Sequence, residues 1–219
     1  MNLAPRCTIR TVSRFLDDAA RKGFARAVTA VEDASAVEVV IAVRHQSATY
    51  RHANAIVGGC VAFAGLAVML FAPRAFGLGS ILVDPFVLGA IAGALVELLP
   101  QLKRRLTPRA RRRAHVTRAA RAAFVERGVH ATTGRSGLLV YISWLEREVA
   151  LIADLGLARA LPEGVLERAE DELSRAMPRG AAVAAGVEAL APAASRAMPH
   201  RDDDVNELPD AIDSDMETR

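Results

Sequence analysis

Twenty consecutive residues, Ala53 to Ala72, carry no charge, and Asn54 is their only strongly polar member. At 1.5 Å per residue a helix of that length reaches about 30 Å, the thickness of a bilayer's hydrocarbon core. A second apolar stretch, Ala75 to Leu99, follows and is interrupted by Asp84 and Glu97. Asp84-Pro85 reads as an N-cap followed by proline at the first helical position. A helix from there to Leu99 spans only about 22 Å, so the alternatives are a start near Phe76 or a kinked continuation past Pro100. Two buried helices of a soluble core are the competing reading, but a buried helix rarely stays uncharged over such a length. Gly89 and Gly93 form a GxxxG, and Gly58 and Gly65 add further small residues, which let two spans approach closely.

The charge distribution orients this hairpin. The net charge is only +3, but Lys103 to Arg121 holds nine basic residues and no acidic one, while Arg201 to Arg219 holds eight acidic and two basic. Lys103, Arg104, Arg105, Arg109, Arg111, Arg112 and Arg113 begin just after the second apolar stretch, where cations keep a span's end on the cytoplasmic side and meet anionic headgroups. Arg44 and Arg51 flank the first span in the same sense. The run lacks the aromatic interleaving of a nucleic-acid stacking platform, so the membrane-anchoring reading is preferred and nucleic acid is not expected as a partner. Both termini are then cytoplasmic, in a cell (inner) membrane. Met1 to Arg14 has basic residues but no apolar h-region, so it does not read as a signal peptide.

Outside the hairpin the pattern is α/β. Val12, Phe15, Leu16, Ala20, Phe24, Val28 and Val31 recur at helical spacing and predict an amphipathic helix from about Val12 to Asp33. Val37 to Val43 is short, β-branched and bounded by polar residues, and predicts a strand. Thr107-Pro108 marks a helix start. Leu138 to Ser143 and Glu148 to Asp154, separated by Trp144 to Arg147, predict a β-hairpin; both alternating sets are apolar, so both faces are covered. Leu161-Pro162-Glu163 opens a further helix, and an Ala-rich one runs from about Gly180 to Ala197. The acidic tail from Met198 predicts disorder.

From Ala119 onward, Ala-Ala-Phe-Val-Glu-Arg-Gly (122–128), the turn Gly134 to Gly137, Leu-Leu-Val-Tyr-Ile-Ser (138–143), Glu146-Arg147, Val149 to Gly156 and Leu161-Pro162 resemble a TPM domain. This is the module named after a thylakoid lumen protein, its photosystem repair relative and a worm channel modulator. Gly186 to Leu190 is similar to that family's closing helix, and the N-terminal helix and Val37 to Val43 are similar to its first helix and strand. Asn206 to Asp210 resembles the tail of a bacterial membrane-protein branch. The resemblance implies an α/β/α sandwich split by the inserted two-helix transmembrane hairpin. The pieces are 1–52 and 103–198, with the hairpin at 53–102 and an acidic disordered tail at 199–219. It also implies acid phosphatase activity and divalent-metal binding, as in some members. The family's Asp-rich opening turn is here Ala4 to Thr11, without a carboxylate. Glu146 stands at its Asp-Arg turn, and Asp154-Leu155-Gly156 at its Gly-Tyr-Gly.

Glu146 and Asp154 are thus the candidate ligands for Ca²⁺ or Mg²⁺, fewer carboxylates than a hard cation usually takes; capping a helix or turn is the alternative role of Asp154. Six residues after Cys7 and Cys60 stand Ser13 and Leu66, not the Arg of a cysteine phosphatase, and no two histidines share a helix face at zinc-ligand spacing. Asp202 to Asn206 has Glu207 where a calcium loop needs glycine. Trp144, at the tip of the hairpin, either packs on a neighbouring helix or anchors a partner. Glu97 lies within helical reach of Lys103 or Arg104. The sequence therefore points to a membrane protein without a cofactor, acting as a scaffold or assembly factor for a membrane protein partner. A metal-dependent acid phosphatase is the alternative, and the oligomeric state is open.

Overall fold

A computed structural model describes residues 15–200, 207–208 and 211–216. The chain divides into two compact units, one of residues 48–111, the other of the described residues up to Ser47 and from Arg112 onward.

In the second unit a mixed four-stranded sheet runs in the order β3-β2-β1-β4. β1 (Val39–Arg44) and β2 (Leu138–Ser143) are parallel, in register from Val39 opposite Leu138 to Arg44 opposite Ser143. β3 (Glu148–Ala153) returns antiparallel to β2. Alternate residues enter two separate cores, as a strand's two-residue period dictates. Val39, Ile41, Val43, Leu138, Val140, Ile142, Val149 and Leu151 pack with α1 (Asp18–Ala34) and the C-terminal helices, through Phe24, Val28, Val31, Leu173, Val183 and Val187. Val40, Ala42, Leu139, Tyr141 and Ala150 pack with Val116, Ala120 and Phe124 of a later helix. Apolar residues on both sides of β1 and β2 are thus explained by helices on both faces. The short β1 is central although it precedes the hairpin in sequence, so the sheet joins pieces from both sides of the insertion.

α1 starts later than the periodicity predicts. Asp17 is its N-cap, accepting from the Ala20 N–H at 2.8 Å. Phe15 and Leu16 precede the cap in a buried turn, where the Phe15 ring sits 6.3 Å from that of Phe24. They mimic helical spacing because they feed the same core; Val12 lies outside the described residues.

Of the tail predicted to be disordered, the described residues include a short strand. β4 (Asp213–Ser214) pairs in parallel with β1 at Ala42 and Val43. Asp213 pairs with Arg44 of β1 and with Arg127, a long-range compensation that composition does not reveal.

In the unit of residues 48–111, α2 (Arg51–Phe71) and α3 (Leu78–Leu95, continued by a 3₁₀ turn Val96–Leu98) are joined by a short connection and packed together. Asp84-Pro85 does not open α3: Gly77 is its N-cap and Pro85 is inside it, buried against α2, where a Cβ on Gly65 would lie 3.6 Å from the proline's. Small residues set the helix–helix distance. A Cβ added to Gly89 would meet the Gly58 carbonyl at 2.5 Å, and one on Gly93 the Asn54 carbonyl at 2.9 Å. α4 (Pro100–Leu106) is a separate helix with proline in its first turn. The Thr107 hydroxyl donates back to the Lys103 carbonyl at 2.9 Å. The next helix, α5, spans Arg109–Glu126.

Candidate functional site

The parallel strands β1 and β2 end side by side at Arg44 and Ser143, and the carboxyl ends of strands are where open α/β sheets place ligands. There the β2–β3 turn brings in Glu146, whose side chain is completely buried. Its Oε1 accepts from the Ser47 backbone N–H at 3.0 Å, and its Oε2 from the Ser143 hydroxyl at 2.5 Å. Ser47 Oγ lies 2.7 Å from Ser143 Oγ and donates to the Tyr141 hydroxyl at 3.3 Å. Burial pushes the Tyr141 phenol above its ordinary range, against the opposing effect of the Ser47 hydrogen bond. Backbone bonds Trp144 N–H to Arg44 O (3.0 Å) and Leu145 N–H to His45 O (2.9 Å) complete the link. A buried carboxylate is tolerated only when hydrogen-bonded, and here it locks the segment leaving β1 to the turn leaving β2.

Glu146 and Asp154 do not form one metal site. They flank β3, and its six residues hold them apart by about 17 Å or more at the rise of a strand. Asp154 instead caps α6 (Leu155–Ala160), its Oδ1 accepting from Leu155 N–H at 2.7 Å. Its Oδ2 is buried without a hydrogen bond, 3.6 Å from Arg135 Nε. Arg135 takes a positive φ of 52°, and its carbonyl accepts from Gly156 N–H at 3.0 Å. A Cβ on Gly156 would lie 2.6 Å from the Gly134 carbonyl, so glycine is required at this contact. Among the described residues no group of three or more His, Cys, Asp or Glu side chains is placed to hold a metal.

The basic run is divided rather than uniform. Lys103 is buried and pairs with Glu97, whose other oxygen accepts from Asn54 Nδ2 at 2.6 Å. Arg112 lies 3.7 Å from Glu148, and Arg113 reaches Glu170 at 2.7 Å and Asp171 at 3.2 Å. Glu170 holds the Arg113 proton above its ordinary range. These three residues of the basic run have carboxylate partners within the protein. Arg105, Arg109 and Arg111 are exposed, and Arg104 is half-buried. Glu170 and Ser174, on α7 (Val165–Ala176), also accept from Leu151 and Val149 N–H, each at 2.9 Å. The outer edge of β3 is thereby covered by side chains, which protects it from pairing with another chain.

Trp144 packs rather than projects. Its ring stacks on His45 at 5.4 Å between centroids, 18° from parallel, and lies against the core on the α1 face. Its indole N–H is buried without a hydrogen bond. Ser47 and Ser143 bond to Glu146 and Tyr141 bonds to Ser47; none of the three is a site residue expected from sequence. Tyr141 and Ser143, two polar-tipped residues in an otherwise apolar strand, were the only local hint.

No family model and no curated protein matches this chain. Among solved structures it is similar to the NMR structure of BA42 protein from the psychrophilic bacterium Bizionia argentinensis, with a TM-score of 0.55 and 12% identity, covering 91% of this chain and 95% of that one. At that identity the similarity establishes the fold and nothing about activity.

Proposed function

We propose that this chain is an integral membrane protein of the cell (inner) membrane. Its α2–α3 hairpin crosses the bilayer with both termini cytoplasmic, and its TPM-like α/β/α domain serves as a non-enzymatic docking or assembly factor for a membrane protein partner. The observation that carries the membrane assignment is the placement of large apolar side chains on the hairpin. Phe63 is 75% exposed, Phe71 88% and Leu78 83%, whereas glycines occupy the helix–helix contact. Such an exterior is stable in lipid and costly in water. The docking assignment is supported by Glu146, whose buried side chain accepts from the Ser47 N–H and the Ser143 hydroxyl and ties two segments of the chain together.

Three measurements test the reading. The protein should resist alkaline carbonate extraction from membranes and require detergent for release. In a Cys60→Ser background, Cys7 should be unreachable by an impermeant thiol reagent until cells are permeabilised; labelling in intact cells would invert the topology. Hydrolysis of a generic phosphate monoester should stay at background with Ca²⁺ or Mg²⁺, and metal-dependent turnover lost in Glu146→Gln would replace the docking reading with the phosphatase one.

A further inference from the structure

The cations of α5 are divided between two sides of the helix. Arg112 and Arg113 turn to Glu148, Glu170 and Asp171. Val116, Ala120, Ala123 and Phe124 fill the core side. Arg111, Arg118 and Arg121 are exposed, together with Ala114, Ala122 and Val125. At 3.6 residues per turn these six fall on one stripe about 100° wide, opposite the core side, and the stripe runs about 21 Å from Arg111 to Val125. No acidic residue occurs between Arg109 and Val125. Among the described residues no carboxylate pairs with Arg111, Arg118 or Arg121. Arg118 and Arg121 extend this cationic face beyond the run that the sequence assigns to membrane anchoring.

We propose that the outward face of α5, through Arg111, Arg118 and Arg121, docks onto anionic phospholipid headgroups of the bilayer that holds the hairpin. The inference rests on the membrane reading above and names the lipid class and the side chains that recognise it. Three observations select this occupant. The stripe is cationic without an internal counter-charge, so its complement is anionic. Ala114 and Ala122 are too short to reach past the guanidinium groups, so the charges stand out from a convex surface, which suits a deformable layer of headgroups. The chain also delivers the stripe to a bilayer: only α4 and a few connecting residues separate α5 from Leu98, the end of the second apolar helix, which keeps the start of α5 within about 25 Å of it. Each guanidinium offers a fork of N–H donors to phosphate oxygens. The tether to the hairpin holds the face at high effective concentration, so contacts that are weak one by one suffice together.

The test uses the full chain in nanodiscs of phosphatidylcholine, with or without phosphatidylglycerol. A fluorophore is placed on the stripe through Ala122→Cys in a Cys7→Ser, Cys60→Ser background, and its quenching by lipids carrying a nitroxide headgroup is measured. Quenching should be strong in the discs that contain phosphatidylglycerol and weak in the neutral ones, and high salt should reduce it. Arg118→Gln and Arg121→Gln should each lower the docked-to-undocked ratio about fivefold, the scale of one cation at an anionic surface. Equal quenching in the two kinds of disc would overturn the proposal, as would no response to the double variant with its thermal transition retained. So would a labelled oligonucleotide or acidic peptide captured by the protein in neutral discs and lost in the double variant, which would make a soluble polyanion the occupant. Failure of the membrane reading shows separately, as release by alkaline carbonate and no incorporation into discs, whereas failure of this inference shows as incorporated protein whose α5 is indifferent to lipid charge.

Discussion

The hairpin and the α/β unit use the same apolar residues in opposite ways. In the α/β unit Phe24, Ile41, Leu139, Ile142 and Leu173 are buried in two cores and the charges lie outside or in pairs. In the hairpin Phe63, Leu70, Phe71, Leu78 and Phe86 face outward, and Gly58, Gly89 and Gly93 make the internal contact. The first arrangement is driven by removing apolar area from water. In the bilayer proposed for the hairpin the second is not, since lipid tails are as apolar as leucine and close backbone approach distinguishes the right neighbour. Large residues therefore stabilise one unit from within, and small residues do so in the other.

The most severe disruption of this contrast is to cut between the units. A fragment of residues 112–219 lacks β1, the strand between β2 and β4, and should show no cooperative thermal transition. Joining 1–47 to 112–219 through a flexible linker should restore one without the hairpin. A cooperative transition in the fragment alone would show that the two-sided core does not need β1. Next in size, Phe24→Ala should lower the stability of the α/β unit by about 3–5 kcal/mol, while Phe63→Ala should leave its denaturant midpoint unchanged. Equal effects would erase the distinction between inward and outward phenylalanines. In the hairpin, Gly89→Leu should force the helices apart at a cost of about 1–3 kcal/mol, read as a lower melting temperature of helical circular dichroism in detergent. Gly59→Leu should be nearly silent, because no atom lies within 4 Å of a Cβ added there.

Within the α/β unit, Glu146→Ala should cost about 1–3 kcal/mol by leaving the Ser47 N–H and Ser143 hydroxyl without their acceptor. Glu146→Gln, which retains a carbonyl acceptor, should cost less; the reverse order by chemical denaturation would mean that the charge rather than the hydrogen bonds matters. The smallest effect is at Tyr141. Its folded pKa is raised above the ordinary value of 10.0, so the unfolded chain ionises first. The associated stability is fully present below about pH 10 and is lost as pH rises through the folded value. Tyr141→Phe should flatten that alkaline decline, at a cost near neutrality of about 0.5–1.5 kcal/mol for the lost hydrogen bond.

The two long apolar helices, the β2–β3 hairpin and the division of charge are local properties, written in consecutive residues, and the sequence alone determined them. Length without charge specifies α2. Apolar residues at both alternating positions specify strands covered on two sides. The partners of those elements are not local. Arg112 and Arg113 are indistinguishable in sequence from Arg105 and Arg111, and only the packing of α5 near α7 and β3 turns the first two into ion pairs. Glu146 and Asp154 look like two members of one carboxylate site, yet the length of β3 places them at opposite ends. Asp213 belongs to an acidic tail whose composition argues for disorder, and it becomes a strand residue because Arg44 and Arg127 stand across from it, far away in the chain. Tertiary structure decided these points because an ion pair or a strand pairing depends on which distant residues the topology brings within a few ångströms, and no local periodicity carries that information.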